Sequence, residues 1–202
     1  MRKEYDFSKG VRGVHAGRYR EGVRVVVTEE PADTLHKSAD RQKDTQLVEL
    51  AGRHLVIAQL TAGGVEVAIP VRDKGIDLIA YVDTGDTMQR FVACPLQLKV
   101  ASGRRFGLDK KYAKVKNLLL TYVWNIDEPE KSQVYAMTYT QALTILIAKG
   151  YDKSSSWKDG GSYSVSVPDK RLMELLEPYH MNAKAWAQRV AAVAEEVALK
   201  TA

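Results

Sequence analysis

The chain has very little cysteine, since Cys94 is the only one among 202 residues. One thiol cannot form an intramolecular disulfide, and it cannot build a zinc site that depends on several cysteines. We therefore predict that Cys94 is a buried thiol.

Long apolar runs are also missing from the sequence. No stretch approaches the roughly 20 apolar residues that cross a bilayer. The first residues, MRKEYDFSKG, lack the apolar segment of a secretory signal. These two absences predict a cytoplasmic protein with no membrane partner.

The common catalytic signatures are absent as well. The sequence has no G-x-S-x-G elbow, no P-loop and no dinucleotide fingerprint. Its histidines, His15, His36, His54 and His180, form no pair at metal-ligand spacing. A Ser, His and Asp triad stays open, although nothing local in the sequence proposes one.

What is present describes an ordinary globular chain with a basic excess. Hydrophobic residues make up 45% and charged residues 27%, which suits one domain with an extension. The net charge is +5, which permits binding to a polyanion. The excess is concentrated between residues 99 and 116, where one acid, Asp109, stands against Lys99, Arg104, Arg105, Lys110, Lys111, Lys114 and Lys116.

Periodicity predicts an α/β (α+β) fold with a mixed central sheet flanked by helices. We expect an N-terminal extension over residues 1–44, a main domain over 45–180 and a last helix over 181–202. That helix should begin at Asn182 and pack through Trp186, Val190, Val193 and Val197 on the body or on another subunit, as in a homodimer. The first helix, over residues 43–61, should bury the face that carries Leu47, Leu50, Ala51, His54 and Ala58.

Residues 75–99 are the most informative stretch. Gly75 allows a sharp turn, and Asp77 is the one charged residue in the alternating strand that follows. A turn at residues 83–86 predicts an antiparallel return strand. Gln97 and Lys99 are two residues apart on that strand, so their side chains should leave the same face and meet Asp77. Pro95 cannot donate to a sheet ladder, and we expect a bulge or an edge there.

An Asp on one strand, followed after a hairpin by (Asp/Glu/Gln)-x-Lys on the next, resembles the PD-(D/E)XK nuclease superfamily in its Gln-x-Lys variant. The nearest resemblance is to endonuclease-like domains related to group I intron homing endonucleases. It implies an αβββαβ restriction-endonuclease-like core with Asp77, Gln97 and Lys99 as catalytic residues. Asp77 and Gln97 would then bind Mg²⁺ or another divalent cation.

Many members of that superfamily also carry a Glu on the first core helix, and here Arg53 takes that position. Glu49, one turn earlier, is the candidate substitute. Glu49 and Arg53 also have the spacing of an i, i+4 ion pair on a helix surface, and that is the interpretation we favour.

The resemblance implies DNA as the partner, with Arg104, Arg105, Lys110 and Lys111 as candidate phosphate contacts. Each candidate also has a purely structural interpretation. Asp77 can cap the turn at Gly75, Gln97 and Lys99 can be solvated side chains of an edge strand, and the basic loop can be a solvated face.

The N-terminal residues carry a second resemblance. Residues 3–9, Lys-Glu-Tyr-Asp-Phe-Ser-Lys, and residues 18–27 resemble small antitoxin-like proteins, which implies a small protein partner of residues 1–44 or a gene fusion. The alternative is a partly ordered basic arm. The nuclease resemblance implies a divalent-metal-dependent DNA endonuclease (a hydrolase). The alternative is a non-catalytic DNA- or protein-binding member of a toxin-antitoxin-like module on a degenerate nuclease fold.

Overall fold

The computed structural model describes residues 44–72, 74–83 and 91–201. The strands are β1 (Glu66–Ala68), β2 (Leu78–Asp83), β3 (Phe91–Val100), β4 (Phe106–Asp109), β5 (Leu119–Trp124), β6 (Gln133–Thr138), β7 (Ser162–Val165) and β8 (His180–Met181). The α-helices are α1 (Thr45–Ala62), α2 (Tyr139–Ala148), α3 (Ser155–Lys158), α4 (Lys170–Leu176) and α5 (Trp186–Thr201). Short 3₁₀ helices cover Lys110–Lys114, Pro129–Lys131, Tyr151–Lys153, Glu177–Tyr179 and Ala183–Ala185.

Six of the strands form one mixed sheet in the order β1-β2-β3-β5-β6-β8. The β3–β5 pair is parallel and the other described pairs of this sheet are antiparallel. Strands β4 and β7 form a separate antiparallel ribbon. The predicted fold class, a mixed sheet flanked by helices, is confirmed, and the helical part of the β3–β5 connection is the 3₁₀ helix Lys110–Lys114.

Each face of the sheet has its own hydrophobic core. The first core joins α1 and α5 to one face through residues such as Val56, Leu60, Leu96, Trp186 and Val190. The second core, on the other face, joins the β4–β7 ribbon, α2 and α4 through residues such as Phe106, Tyr122, Trp124, Leu146 and Leu172. Alternation along β5 divides Leu119 and Val123 from Leu120 and Tyr122, as a period of two requires.

The last helix packs on the body of the molecule. Asn182 accepts a hydrogen bond from the Ala185 backbone at 3.2 Å, as a capping side chain does. Trp186 and Val190 are fully buried and Val193 nearly so. Packing through these residues agrees with the predicted stripe, and residues 43–202 cluster as one compact unit. The predicted extension, apart from Asp44, lies outside the described residues.

The predicted buried face of the first helix is wrong. Helix α1 buries Gly52, Val56 and Leu60, whereas Leu47 and Leu50 are 63% and 45% exposed. Ala51, His54 and Ala58, the remaining members of the predicted face, are exposed too. The reason lies in Gly52, where an added Cβ would lie 2.4 Å from Val100 Cγ1, so only a glycine allows the helix to approach β3 this closely.

The expected bulge or edge at Pro95 is also wrong. Strand β3 lies inside the sheet, and its register with β2 continues without interruption through the Ile79–Pro95 pair. The Leu96 carbonyl faces β2, since it accepts a hydrogen bond from Asp77 at 2.9 Å. The backbone groups of Pro95 therefore face the other way, where pairing with β5 begins only at Leu96. Its missing N–H is not needed.

Among the described residues, no helix combines the length and the apolar character that crossing a membrane requires.

Candidate functional site

A cleft of about 710 Å³ opens where the C-terminal half of β3 meets α1 and the β4–β7 ribbon. It contains all four predicted catalytic residues, which are Glu49, Asp77, Gln97 and Lys99. The remaining lining residues used below are Arg53 from α1, Arg105, Gly107 and Asp109 from the β4 side, Tyr122 from β5, and Ser156, Ser162, Tyr163 and Ser164.

Asp77 lies one residue before β2 and directly beside β3. Its Oδ2 accepts hydrogen bonds from the Leu98 backbone N–H at 2.6 Å and from Gln97 Nε2 at 2.5 Å. Two donors on one carboxylate oxygen hold the side chain in a fixed orientation at the mouth of the hairpin. Gly75, at φ +85°, makes the turn before it, and a Cβ there would lie 3.5 Å from Gln97 Oε1.

The predicted shared face of Gln97 and Lys99 is present. Leu96, Leu98 and Val100 contact the first core, on the α1 side. Gln97 and Lys99 pair in register with Leu120 and Tyr122, whose side chains belong to the second core. The two polar side chains therefore leave the sheet toward the ribbon. Strand β3 lies between β2 and β5, but its pairing with β2 ends at Leu96, so Gln97 and Lys99 are paired only on the β5 side.

Lys99 is held by an aromatic side chain. Its Nζ donates to the Tyr112 hydroxyl at 3.3 Å and lies 4.7 Å from the centre of the Tyr112 ring. Lys111 Nζ lies 5.0 Å from the same ring. Tyr112 thus fixes the ammonium group of Lys99 within the cleft, a contact of the cation–π type.

Tyr122 forms part of the floor of the cleft. Its hydroxyl donates to the Gly107 carbonyl at 2.7 Å, which ties β5 to the ribbon. Full burial raises the pKa of Tyr122 far above its ordinary value, so the hydroxyl stays a neutral donor.

Glu49 and Arg53 do not form the ion pair that we favoured. No ion pair joins them in the described part of the chain, and both line the cleft instead. Glu49 is exposed. The Nε atom of Arg53 is buried and has no hydrogen-bond partner there.

The β4–β7 ribbon forms the opposite wall. Gly107 pairs with Ser164 and Asp109 pairs with Ser162. The two serines therefore lie beside the positions of β4 that line the cleft. Arg105 Nη2 lies 3.5 Å from Ser164 Oγ. Phe106 and Leu108 are buried in the second core, which leaves the alternate positions of β4 for the cleft.

The candidate phosphate contacts separate into two groups. Arg105 lines the cleft, whereas Arg104, Lys110 and Lys111 do not. Lys110 donates to the Lys158 carbonyl at 3.4 Å and lies 5.2 Å from the Trp157 ring centre. Lys111 forms an ion pair with Asp109 at 3.6 Å. Arg104 lies close enough to Tyr135 to lower the pKa of that phenol, although burial, the larger effect, raises it.

The oxygen donors of the cleft fit a hard divalent cation better than a transition metal. Asp77 and Glu49 supply carboxylates and Gln97 an amide oxygen, and Mg²⁺ needs only one or two carboxylates because it keeps several waters. No group of three or more His, Cys, Asp or Glu exists within residues 44–72, 74–83 and 91–201 that could hold a metal.

The formal charges of the cleft are balanced. Glu49, Asp77 and Asp109 oppose Arg53, Lys99 and Arg105. The α1 wall and the ribbon wall each carry a guanidinium group, from Arg53 and Arg105, whereas Asp77 supplies a fixed carboxylate. Such an arrangement suits a ligand that brings both negative charge and a metal ion.

The chain matches no family model, no curated protein and no solved structure. The nuclease resemblance therefore stays a prediction that depends on a few residues, and the support for a function lies in the cleft itself.

Sequence reasoning missed the serines of β7 and the partnerless Nε of Arg53. The sequence indicated Arg53 only as a departure from the expected Glu and as an ion-pair partner of Glu49. Ser162 and Ser164 had a signal, since they alternate with Tyr163 and Val165 on a short strand, but nothing local indicated that this strand pairs with β4.

Proposed function

We propose that this cleft is the active site of a divalent-metal-dependent DNA endonuclease that hydrolyses phosphodiester bonds. The observation that carries the proposal is the meeting of Asp77, Gln97 and Lys99 in one cleft, with the carboxylate fixed by two hydrogen bonds. These are the residue types that phosphodiester hydrolysis requires, namely an oxygen ligand set and a nearby cation.

Each residue then has a role in this proposal. Asp77 and Gln97, with Glu49 nearby, would hold Mg²⁺, which when bound neutralises the phosphate and lowers the pKa of water. Gln97 keeps Asp77 oriented. Lys99, fixed by Tyr112, stabilises the negative charge that develops on the scissile phosphate.

The test is the Asp77→Asn variant, assayed for magnesium-dependent nicking of supercoiled DNA. Asparagine keeps an oxygen that can accept from Leu98 but removes the charge, so we expect nicking to fall by about a hundredfold or more while DNA binding survives. Asp159→Asn is the matched control, because Asp159 is an exposed carboxylate outside the cleft. Nicking retained by Asp77→Asn would exclude the catalytic assignment.

A second function is favoured by the basic side of the cleft. Arg53 stands where the resembled nucleases carry a Glu, and Arg105 lines the same cleft. These features suit a non-catalytic protein that binds DNA on a degenerate nuclease fold. Binding would then weaken steeply with salt and would not respond to Mg²⁺ or EDTA.

The toxin-antitoxin form of this second function depends on residues 1–44, which apart from Asp44 lie outside the described residues. It predicts that a small protein copurifies with the full chain and is lost when residues 1–44 are deleted. A partner-free preparation of the full chain would count against it.

A further inference from the structure

The α1 wall of the cleft holds a cationic group whose hydrogen-bonding capacity the protein does not fill. Arg53 Nε is buried and has no partner among the described residues, and no ion pair joins its guanidinium to Glu49 one turn away. A buried donor left without an acceptor is unfavourable. The Arg53 side chain as a whole is half-buried and lines the cleft, so an anionic ligand that enters the cleft would pair with this guanidinium.

The opposite wall offers a second set of donors. Arg105 is exposed, and its one described hydrogen bond, to Ser164, is long at 3.5 Å. Ser162 and Ser164 are exposed and lie two residues apart on β7, so their hydroxyls leave the same face of the ribbon. Gly107, between Arg105 and Asp109 on β4, lets β7 approach closely, since a Cβ there would lie 3.0 Å from Ser164 Cβ.

We infer that Arg53 and Arg105, with the hydroxyls of Ser162 and Ser164, form a phosphate-binding subsite that holds the backbone of a DNA strand. This inference deepens the proposed function and rests on it for the identity of the strand. The subsite uses Arg53 where the resembled nucleases carry an acidic residue. A substrate phosphate thus occupies the side of the cleft that a second carboxylate would otherwise fill.

The arrangement of donors favours phosphate over a carboxylate ligand. A carboxylate presents two oxygens in one plane and is satisfied by one guanidinium. The cleft has guanidinium and hydroxyl donors on two walls, and the tetrahedral phosphates of a strand present oxygens in several directions. Guanidinium groups also bind phosphate with fixed geometry, which lysine does not provide.

The subsite acts without metal and without Asp77, which makes it separable from catalysis. The experiment measures binding of a short fluorescein-labelled duplex DNA by anisotropy, in EDTA, over a series of salt concentrations. We expect Arg53→Gln and Arg105→Gln each to raise the Kd roughly tenfold and to lower the salt slope by about 1. Arg171→Gln is the matched control, since Arg171 carries the same charge but pairs with Glu174 on α4, outside the cleft.

Competition with the labelled DNA identifies the ligand chemistry. At equal ionic strength, inorganic phosphate should displace the DNA from the wild-type chain at lower concentration than acetate does, and Arg53→Gln should abolish that difference. Equal competition by the two anions would overturn the assignment to phosphate.

Folding and catalysis are controlled separately. Arg105 is exposed, so Arg105→Gln tests the subsite even if Arg53→Gln lowers stability, which a thermal melt would reveal. If Asp77→Asn still nicks DNA while both arginine variants bind weakly, the catalytic proposal fails and the subsite stands. If both arginine variants bind DNA like Arg171→Gln, the subsite is excluded whatever the nicking assay gives.

Discussion

Cys94 lies in the middle of β3, fully buried in the first core. Its Sγ lies 3.1 Å from the Asn117 carbonyl. Burial raises the pKa of this thiol from 9.0 to about 12, although a backbone hydrogen bond at Leu119 opposes the shift. Only the thiolate is a good nucleophile, so Cys94 is inert in the folded state, in agreement with the prediction of a buried thiol.

Thiol labelling and pH-dependent stability test this environment together. Iodoacetamide should leave the folded chain unmodified and should label it fully in guanidinium chloride. Because the folded pKa exceeds the unfolded value, the stabilisation is complete below about pH 9 and decreases as the pH rises toward 12. Cys94→Ala should therefore show a shallower loss of unfolding free energy between about pH 8 and pH 10. Identical slopes of unfolding free energy against pH for the two proteins would contradict the pKa shift of Cys94. Tyr122, whose pKa is also raised by burial, contributes to the loss of unfolding free energy in both proteins.

The residues of the cleft differ in how far the sequence revealed them. Asp77, Gln97 and Lys99 follow from the period of two and one hairpin, because both rules act over a few residues. Tyr112 did not follow, although it holds Lys99 at 3.3 Å. Its position depends on a 3₁₀ helix in a stretch where the charges alone indicated a basic loop.

Helix α1 illustrates, at the level of an element, why hydrophobic periodicity selected the wrong face. Counting apolar side chains favoured Leu47, Leu50 and Ala51, but the helix approaches β3 through Gly52. Glycine adds nothing to a hydrophobic count, yet it is the residue that permits the closest approach of helix and sheet. Close packing of Val56 and Leu60 then follows from that contact.

Gly52→Ala tests whether this contact determines the packing. On propensity alone, alanine should stabilise a helix interior by about 1 kcal/mol. We expect the opposite, a loss of about 1–3 kcal/mol of unfolding free energy, because the new methyl would lie 2.4 Å from Val100 Cγ1. Urea denaturation gives the difference.

A double-mutant cycle completes that test. Val100→Ala removes the two methyl groups that the new Cβ would meet, so Gly52→Ala should be far less harmful in the Val100→Ala background. A Gly52→Ala protein more stable than wild type would show that α1 does not depend on the close approach.

Pro95 lies in a strand where the local rule for proline fails. The rule that proline marks edges or bulges treats every position of a strand alike. Here the proline nitrogen faces β5 just before pairing begins at Leu96, so no ladder bond is lost. The sequence contains the proline, but the start of pairing with β5 depends on a partner more than twenty residues further along the chain.

At the scale of the whole molecule, the fold class could be predicted from the sequence, but only about half of the cleft could. A helix followed by three strands could be read in order, because each is a local pattern. The ribbon wall joins β4 to β7, which are separated by four intervening α-helices and strands, namely β5, β6, α2 and α3. Such pairings leave no local trace, so the donors of Ser162 and Ser164 could not be placed opposite Arg105 from the sequence.

We predict that residues 43–202 fold without the rest of the chain. Every described member of the two cores comes from residues 55–193, and residues 43–202 cluster as one compact unit. All three tryptophans of the sequence are buried in this part, Trp124 and Trp186 fully and Trp157 to 7% exposure. A fragment beginning at Lys43 should thus unfold in one cooperative transition, with tryptophan fluorescence and circular dichroism coincident in urea.

DNA binding by this fragment then tests which part of the chain carries the interaction. Residues 1–42 contain nine Lys and Arg against seven Asp and Glu, so +3 of the +5 net charge stays with the fragment, as do Arg53 and Arg105. We expect its Kd for duplex DNA to lie within about threefold of the full chain at matched salt, because local phosphate contacts outweigh net charge. A fragment that folds cooperatively but binds DNA far more weakly would move the nucleic-acid interface from the cleft to the N-terminal residues, since the cleft would be intact and yet insufficient.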